Sequence, residues 1–279
     1  MTLTQPPLVS IIVVNYNGAD VILDCLRSVE THLRAVSYEV IVVDNASQDD
    51  SCDRIAQQFP QVTLLPQAQN LGFGTANNVG AGAAQGKFLF LLNSDTRLTA
   101  DILPTLIAKL TQSPHIGIVG PQLLNPDGSF QFSVSKDIGL WGEFQTLQQV
   151  KQYRNLTTRA ALAQTYNHDQ TVDVVVGAAM LMPRSLFEQI GGFDETFFMY
   201  FEESDLCKRV RDLGYTILYT PAVSLIHVGG YSVAQAAGPM AQEYRRSQRY
   251  YYRKHRPHWE QWLLHGYLAL KAWRHRWVA

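Results

Sequence analysis

The sequence predicts an α/β fold, a mixed central sheet flanked by helices, followed by a helical C-terminal extension. Three observations carry this expectation. The runs LVSIIVVN at 8–15 and YEVIVVD at 38–44 are apolar at successive positions, as strands covered on both faces must be. Stretches with apolar residues three and four apart separate such runs. Each greasy run also stops in a polar tip: Asn15-Tyr16-Asn17, Asp44-Asn45 and Asn93-Ser94-Asp95. Ligands of open α/β sheets bind beyond the carboxyl ends of the strands, so these tips are the first place to seek a site.

In chain order, Leu8–Asn15 and Tyr38–Asp44 are the first two strands; Val62–Leu65, Phe88–Leu92 and Ile116–Val119 follow. Between them, 20–33 places Leu23, Leu26, Val29 and Leu33 on one helical face. Ser47 is placed to cap a helix over 48–59, with Asp49 and Asp50 at its dipole-positive first turn. Thr99 is placed likewise before 100–110. The alternation over 8–120 implies right-handed crossovers and a doubly wound half-domain. Residues 121–170 mix the turn Asn125-Pro126-Asp127-Gly128 with polar and aromatic residues, which predicts antiparallel strands and a loop-rich insertion. Val172–Met182 is a further strand, and Pro183 opens a short helix. A helix over 202–213 ends at Gly214, and a strand covers 215–219. From Met240 the chain turns helical, basic and aromatic.

Charge narrows the function. The net formal charge of −1 sets aside a generally basic nucleic-acid binder. It conceals a split, because residues 240–279 carry +7 and residues 1–239 carry −8. Three cysteines without CxxC spacing suggest neither a zinc site nor a disulfide framework, and fit a reducing, cytoplasmic setting. The first residues lack a basic-then-apolar signal pattern, and no window reaches the roughly 20 apolar residues of a spanning helix.

Several motifs could carry chemistry, and each has a plainer alternative. Asp44 could accept the imide N–H of a pyrimidine, or simply form a turn. Asn70-Leu71-Gly72-Phe73-Gly74 with Asn77 could bring a helix N-terminus to phosphates; it lacks both GxGxxG and the P-loop Lys, and a tight turn accounts for it as well. Asn93-Ser94-Asp95-Thr96 offers oxygen ligands suited to Mg2+ or Mn2+, or a capping turn. The segment Phe197–Asp205, FFMYFEESD, embeds Glu202 and Glu203 among aromatics. Helix-dipole stabilisation explains surface acids there, whereas an apolar surround raises a carboxyl pKa toward that of a general base. His227 alone reads as structural or exposed.

In order, SIIVVNYNG (10–18), VVDNAS (42–47), NLGFGTANNVG (70–80), LLNSDT (91–96), VVGAAMLMPR (175–184), GGFDETFFMYFEESDLCKR (191–209) and Pro221 with His227-Val228-Gly229-Gly230 resemble the inverting nucleotide-sugar glycosyltransferases of family 2, with the GT-A fold. The likeness spans Val9–Ser232, and the LLNSDT and FFMYFE wording is similar to the rhamnosyltransferase-like subgroup that builds cell-surface polysaccharides. The resemblance implies a catalytic domain over 1–239 (a nucleotide-binding half, 8–120, and an acceptor-binding half, 121–239) with a basic aromatic helical tail over 240–279. It implies an Mg2+- or Mn2+-dependent transfer of a sugar, L-rhamnose from a dTDP-sugar or otherwise from a UDP-sugar, to a hydroxyl of a glycan or lipid-linked acceptor. Carried over by residue, Asn15, Asn17, Asp44, Asn70 and Asn77 line the nucleotide side, with Asp44 on the base. Asp95 and His227 hold the metal. Gly177, Ala178 and Asp205 lie on the sugar and acceptor side. Glu203, or Glu202, is the catalytic base. Two positions depart from the family pattern: Asn93 stands where the DxD motif has its first Asp, and Glu203 where an Asp usually follows the Glu.

Two other functions compete. A nucleotidyltransferase that forms nucleotide sugars would need a basic phosphate loop near the N-terminus, and residues 10–19 contain no Arg or Lys. A non-catalytic nucleotide-sugar-binding or scaffold subunit would draw on the two departures. The tail has three readings. Trp259, Trp262, Leu263, Tyr267, Leu270 and Trp273 recur at helical spacing among basic residues, which suits an anionic membrane surface at the inner face of the cell membrane. The same spacing suits packing on the body or on a second copy in a homodimer. No motif supports binding to nucleic acid.

Overall fold

A computed structural model describes residues 6–229 and 237–276, with the backbone alone at 156, 237–239 and 271–276. Gly230 of the His-Val-Gly-Gly motif and the Trp273 side chain lie outside what is described. The first half comprises β1 (Val9–Asn15), α1 (Ala19–His32), β2 (Tyr38–Asp44), α2 (Ser51–Gln58), β3 (Thr63–Pro66), α3 (Phe73–Ala83), β4 (Phe88–Asn93), β5 (Thr96–Leu98) and α4 (Leu103–Thr111). Then come β6 (Ile116–Leu124), β7 (Phe130–Gln131), β8 (Val134–Ser135), α5 (Leu140–Arg154), α6 (Leu156–Thr165), β9 (Gln170–Val172), β10 (Val174–Val175), β11 (Ala179–Pro183), α7 (Arg184–Gln189), α8 (Glu202–Asp212), β12 (Thr216–His227), α9 (Ala237–His255) and α10 (His258–Arg276).

The main sheet runs β3-β2-β1-β4-β11-β6-β12-β5, with β7 on β6 and β9 on β12. β3, β2, β1 and β4 are parallel, and β11 lies antiparallel between β4 and β6. The sheet is therefore mixed, as expected. Register aligns the polar tips: Asn15 pairs with Asp44, and Val14 with Asn93. β11 runs the other way, so its start brings Gly177-Ala178 to the same edge, where Asn93 N–H donates to the Ala178 carbonyl at 2.9 Å.

Both faces of the sheet are covered, which is why its strands are apolar at every position. Alternate side chains of β1 face opposite layers. Ile11 and Val13 pack with Ile22, Leu26 and Leu106, whereas Ile12 packs with Ala76, Leu206 and other residues of the second layer. The small residues of α3 follow from its closeness to the sheet, since a Cβ on Gly80 would lie 2.5 Å from the Ile12 side chain.

Local expectations fail where distant partners compete. Ser47 does not cap α2, whose N-cap is Asp50; the Ser47 hydroxyl instead accepts from Asn17 N–H at 2.8 Å and Asn15 Nδ2 at 3.2 Å. α4 starts after Ile102, with a Pro in its first turn, so Thr99 is not its cap. The expected strand over 172–182 is broken at 173 and again at 176–178, into the end of β9, β10 and β11, and the insertion contains the helices α5 and α6.

The tail divides in two. α9 packs on the body: Tyr251, Tyr252, Ser247 and Gln248 are buried, and the two tyrosines cluster with Phe197, Phe201, Ile138 and Leu264 of α10. Most large apolar side chains of α10 instead face solvent, with Trp262 74% and Leu270 63% exposed.

Candidate active site

The residues expected on the nucleotide side form a stitched turn between β1 and β2. Asp44 is buried; one oxygen accepts from Asn15 Nδ2 and the other from Ser47 N–H, each at 2.9 Å. A carboxylate has about four lone-pair sites, so capacity remains for a further donor. Asn15 is buried with its Oδ1 unpartnered. Asn17 adopts a left-handed φ of 49° and accepts from Gln48 N–H at 2.7 Å. Asn70 caps its own turn, accepting from Gly72 N–H at 2.9 Å. Asn77, one turn into α3, is buried; its Nδ2 binds the Phe73 carbonyl at 2.9 Å and its Oδ1 has no partner. Asn45, which sequence reading passed over, joins these parts, donating to the Gly72 carbonyl and accepting from Leu71 N–H.

The pairing of β12 with β5 brings residues 132 positions apart together: His227 Nε2 lies 3.3 Å from Asp95 Oδ1. Val228 N–H also donates to the Asp95 carbonyl at 2.9 Å. The Oδ1 of Asn93, two residues before Asp95, is buried and unpartnered. The Asp95 carboxylate is the hard oxygen ligand that Mg2+ or Mn2+ prefers, and the His227 imidazole beside it is a borderline one that Mn2+ accepts more readily than Mg2+. Among the described residues no three His, Cys, Asp or Glu side chains gather as a cage. Any divalent ion would thus take its remaining ligands from phosphate and water, as Mg2+ commonly does.

The acidic pair begins α8. Tyr200 and Phe201 just before it both hold left-handed φ values, 69° and 71°, a conformation that costs non-glycine residues energy. Two such residues in series turn the chain sharply and aim Glu202 and Glu203 inward. A Cβ built on Gly177 would sit 3.5 Å from Glu203 Cβ, and one on Gly74 would sit 3.6 Å from Glu202 Cβ. Glu203 therefore flanks the Gly177-Ala178 floor, and Glu202 points behind it toward α3. Burial, then the charge of Glu203, raises the Glu202 pKa well above the ordinary carboxylate range, and its Oε2 has no partner. Burial also raises Glu203, against the opposing pull of backbone N–H groups at the helix start. Glu243 of α9 adds to the repulsion on Glu202 and has an unpartnered, buried Oε1 of its own.

Asp205 does not join this cleft. It is fully buried, one turn into α8, with Arg209 Nε at 2.7 Å, Lys254 Nζ at 2.7 Å and His255 Nε2 at 2.6 Å. Its expected place on the sugar and acceptor side gives way to a scaffolding one, because a wholly enclosed carboxylate bound to three cationic or donor groups has no face for a substrate. Sequence reading also missed Gln131, whose Oε1 lies 2.8 Å from His227 Nδ1.

The family model described as "Glycosyl transferase family 2" matches residues 10–191. The N-acetylglucosaminyl-diphospho-decaprenol L-rhamnosyltransferase of Mycobacterium tuberculosis is 28% identical over 250 residues, 84% of this chain and 81% of that protein. The rhamnosyltransferase WbbL of Escherichia coli is 28% identical over 236 residues, 79% of this chain and 83% of that one. Among solved structures, the mannosyltransferase PcManGT from Pyrobaculum calidifontis in complex with GDP-Man and Mn2+ has a TM-score of 0.55 at 20% identity, over 81% of this chain and 58% of that one. GalNAc-T7 with UDP, GalNAc and Mn2+ has a TM-score of 0.62 at 16% identity, over 89% of this chain and 50% of that one. These structures share the GT-A fold. The family model covers more than half of the chain, and the chain belongs to the family 2 glycosyltransferases.

Proposed function

We propose that the chain is an inverting, Mg2+- or Mn2+-dependent glycosyltransferase that moves L-rhamnose from a dTDP-sugar to a hydroxyl of a lipid-linked or cell-surface glycan. The observation that carries the reading is the meeting at one sheet edge of the Asp44 tip, the Asp95–His227 pair and, across the Gly177-Ala178 floor, the raised Glu202-Glu203 pair. The names of the two rhamnosyltransferase relatives support the choice of sugar.

The residues divide the work. Asp44 and Asn15 present the base-binding tip, and the Gly72 turn brings α3 toward the diphosphate. Asp95 and His227 would hold the divalent ion, which when bound supplies positive charge to the leaving diphosphate. Two adjacent buried carboxylates resist carrying two charges, so the pair holds a proton that burial and the neighbouring charge favour on Glu202, which leaves Glu203 as the acceptor. Glu203 takes the acceptor hydroxyl proton as that oxygen attacks the anomeric carbon. The bond to the diphosphate oxygen breaks on the opposite face, and the centre inverts.

The donor is tested by thermal stabilisation with dTDP-rhamnose, UDP-glucose and GDP-mannose, each with Mn2+, Mg2+ or EDTA. Stabilisation by dTDP-rhamnose that EDTA abolishes is expected; preference for another nucleotide sugar overturns the choice of donor.

The place of action follows from the tail. Among the described residues no helix is long and apolar enough to cross a membrane. α10 exposes Trp259, Trp262, Leu263, Tyr267 and Leu270, while α5 exposes Trp141, Phe144 and Leu147. The α5 and α10 helices meet where the Leu140 N–H donates to Glu260 at 3.2 Å. Exposed aromatic surface on a basic extension suits the headgroup layer of an anionic bilayer, where a lipid-linked acceptor would reside.

A further inference from the structure

We infer that Gln131 is a positioning residue for His227, fixing which ring nitrogen carries the hydrogen and turning the other, with its lone pair, toward Asp95. The inference rests on the reading of Asp95 and His227 as metal ligands. The orientation of the Gln131 amide is fixed by its neighbours. Its Nε2 lies 3.0 Å from the His227 carbonyl and 3.2 Å from Asn125 Oδ1. The first is an acceptor by nature. The second is an acceptor because the Asn125 Nδ2 is committed to the Phe130 carbonyl at 3.2 Å and the Ser129 hydroxyl at 2.9 Å. Reversing the Gln131 amide would set oxygen against both oxygens. Its Oε1 therefore faces His227 Nδ1 at 2.8 Å, and since an amide oxygen has only lone pairs, Nδ1 bears the hydrogen.

In a neutral imidazole the remaining nitrogen is then bare. That nitrogen, Nε2, is 3.3 Å from Asp95 Oδ1, so two lone-pair atoms face one another almost in contact. Two lone-pair atoms so placed attract only through a cation held between them, a proton or a divalent metal ion. Metal-bound histidines commonly donate their second N–H to an oxygen that fixes the ring. The hairpin between β6 and β7 serves this arrangement. Asn125 N–H bonds to the Ser129 carbonyl at 2.8 Å, and Gly128 takes the left-handed φ of 79° that the turn needs. The turn thereby fixes Asn125 beneath Gln131 and Gln131 beside the end of β12.

Two measurements test this. In metal-free protein above neutral pH, the nitrogen chemical shifts of the His227 ring should show the hydrogen on Nδ1, and Gln131→Leu should remove that preference. In Mn2+ titrations followed by electron paramagnetic resonance with saturating dTDP, Gln131→Leu should weaken Mn2+ binding roughly 10–100-fold. dTDP affinity in EDTA should not change, and Gln131→Leu should add nothing once His227→Ala is present. A hydrogen on Nε2 alone in the unliganded ring, wild-type Mn2+ affinity in Gln131→Leu, or an equal loss with and without His227 overturns the inference. If His227→Ala alone binds Mn2+ normally, the ligand reading falls with it, while transfer through Glu203 stands.

Discussion

Two sets of acids lie within a dozen residues of one another and live in opposite surroundings. Asp194 and Asp205 meet cations: Lys254 reaches both, at 2.5 and 2.7 Å, and Arg209 and His255 complete the shell of Asp205. Burial alone would raise their pKa values, but the hydrogen bonds and charges of these partners outweigh it and hold both carboxyls below the usual range. Glu202 and Glu203 meet chiefly each other, and among the described residues neither has a salt-bridge partner. Burial there goes unopposed by a cation and raises both. The lesson is that burial does not by itself make a carboxylate reactive. What decides is whether a cation is delivered to it, and here α9 and its flank deliver theirs to the aspartates and withhold them from the glutamates.

The largest effect should come from removing the proton acceptor. Glu203→Gln should lower kcat about 1,000-fold, within the range usual for a general base, with donor affinity nearly unchanged. Retained turnover would move the base role to Glu202 or elsewhere.

Next is the cation-bound set. Asp205→Asn leaves Lys254, Arg209 and His255 facing a neutral amide in a closed site, and should cost about 3 kcal/mol, read as a fall in Tm. A neutral result would mean that the network does not hold α9 to α8. The pH dependence has a definite sign. The folded pKa values of Asp194 and Asp205 lie below the unfolded value of about 3.9, so their contribution is complete above that value and is lost as pH falls through the folded values. Glu202 behaves in reverse: its folded pKa lies above the unfolded value of about 4.3, so the folded state loses stability as pH rises above that point. Glu202→Gln should therefore stabilise the protein at pH 7–8 by more than the roughly 0.5 kcal/mol of a surface change, with the gain fading toward pH 4. A pH-independent difference would show that Glu202 is not held protonated.

The smallest effect concerns the other half of the tail. Trp262→Ser with Leu263→Ser should leave Tm within about 1 °C, since both are exposed, while reducing co-sedimentation with anionic liposomes. Equal sedimentation, or a shift in oligomeric mass instead, would favour a second copy of the chain as the occupant of that face.

Much of this was legible in the sequence wherever the signal is local. A β-branched run that ends in Asn or Asp announces a covered strand and its tip, and the tips, the glycine turn and the acidic pair were all read in place. What stayed hidden depends on contacts between residues far apart. Gln131 meets His227 across 96 positions, and Asp137 meets Arg256 across 119. Asp205 looked like a fifth site carboxylate because nothing within its own helix except Arg209 reveals that Lys254 and His255 arrive from α9. Ser47 looked like a cap because capping is its commonest local use, yet two asparagines claim its hydroxyl. The tail read as one element because composition is blind to which aromatic rings find partners: Tyr251 and Tyr252 do, and Trp262 does not.

Gly72 joins the two halves of the cleft. Its φ of 81° leaves the backbone so close to the opposite loop that a Cβ would lie 2.2 Å from the Phe198 carbonyl oxygen, and the next N–H, of Phe73, donates to that same oxygen at 3.0 Å. The glycine turn that opens α3 and the loop that aims the acidic pair are thus sewn together, main chain to main chain. A displacement of one loop is therefore carried to the other without passing through a side chain, and any residue other than glycine at 72 would have to part them.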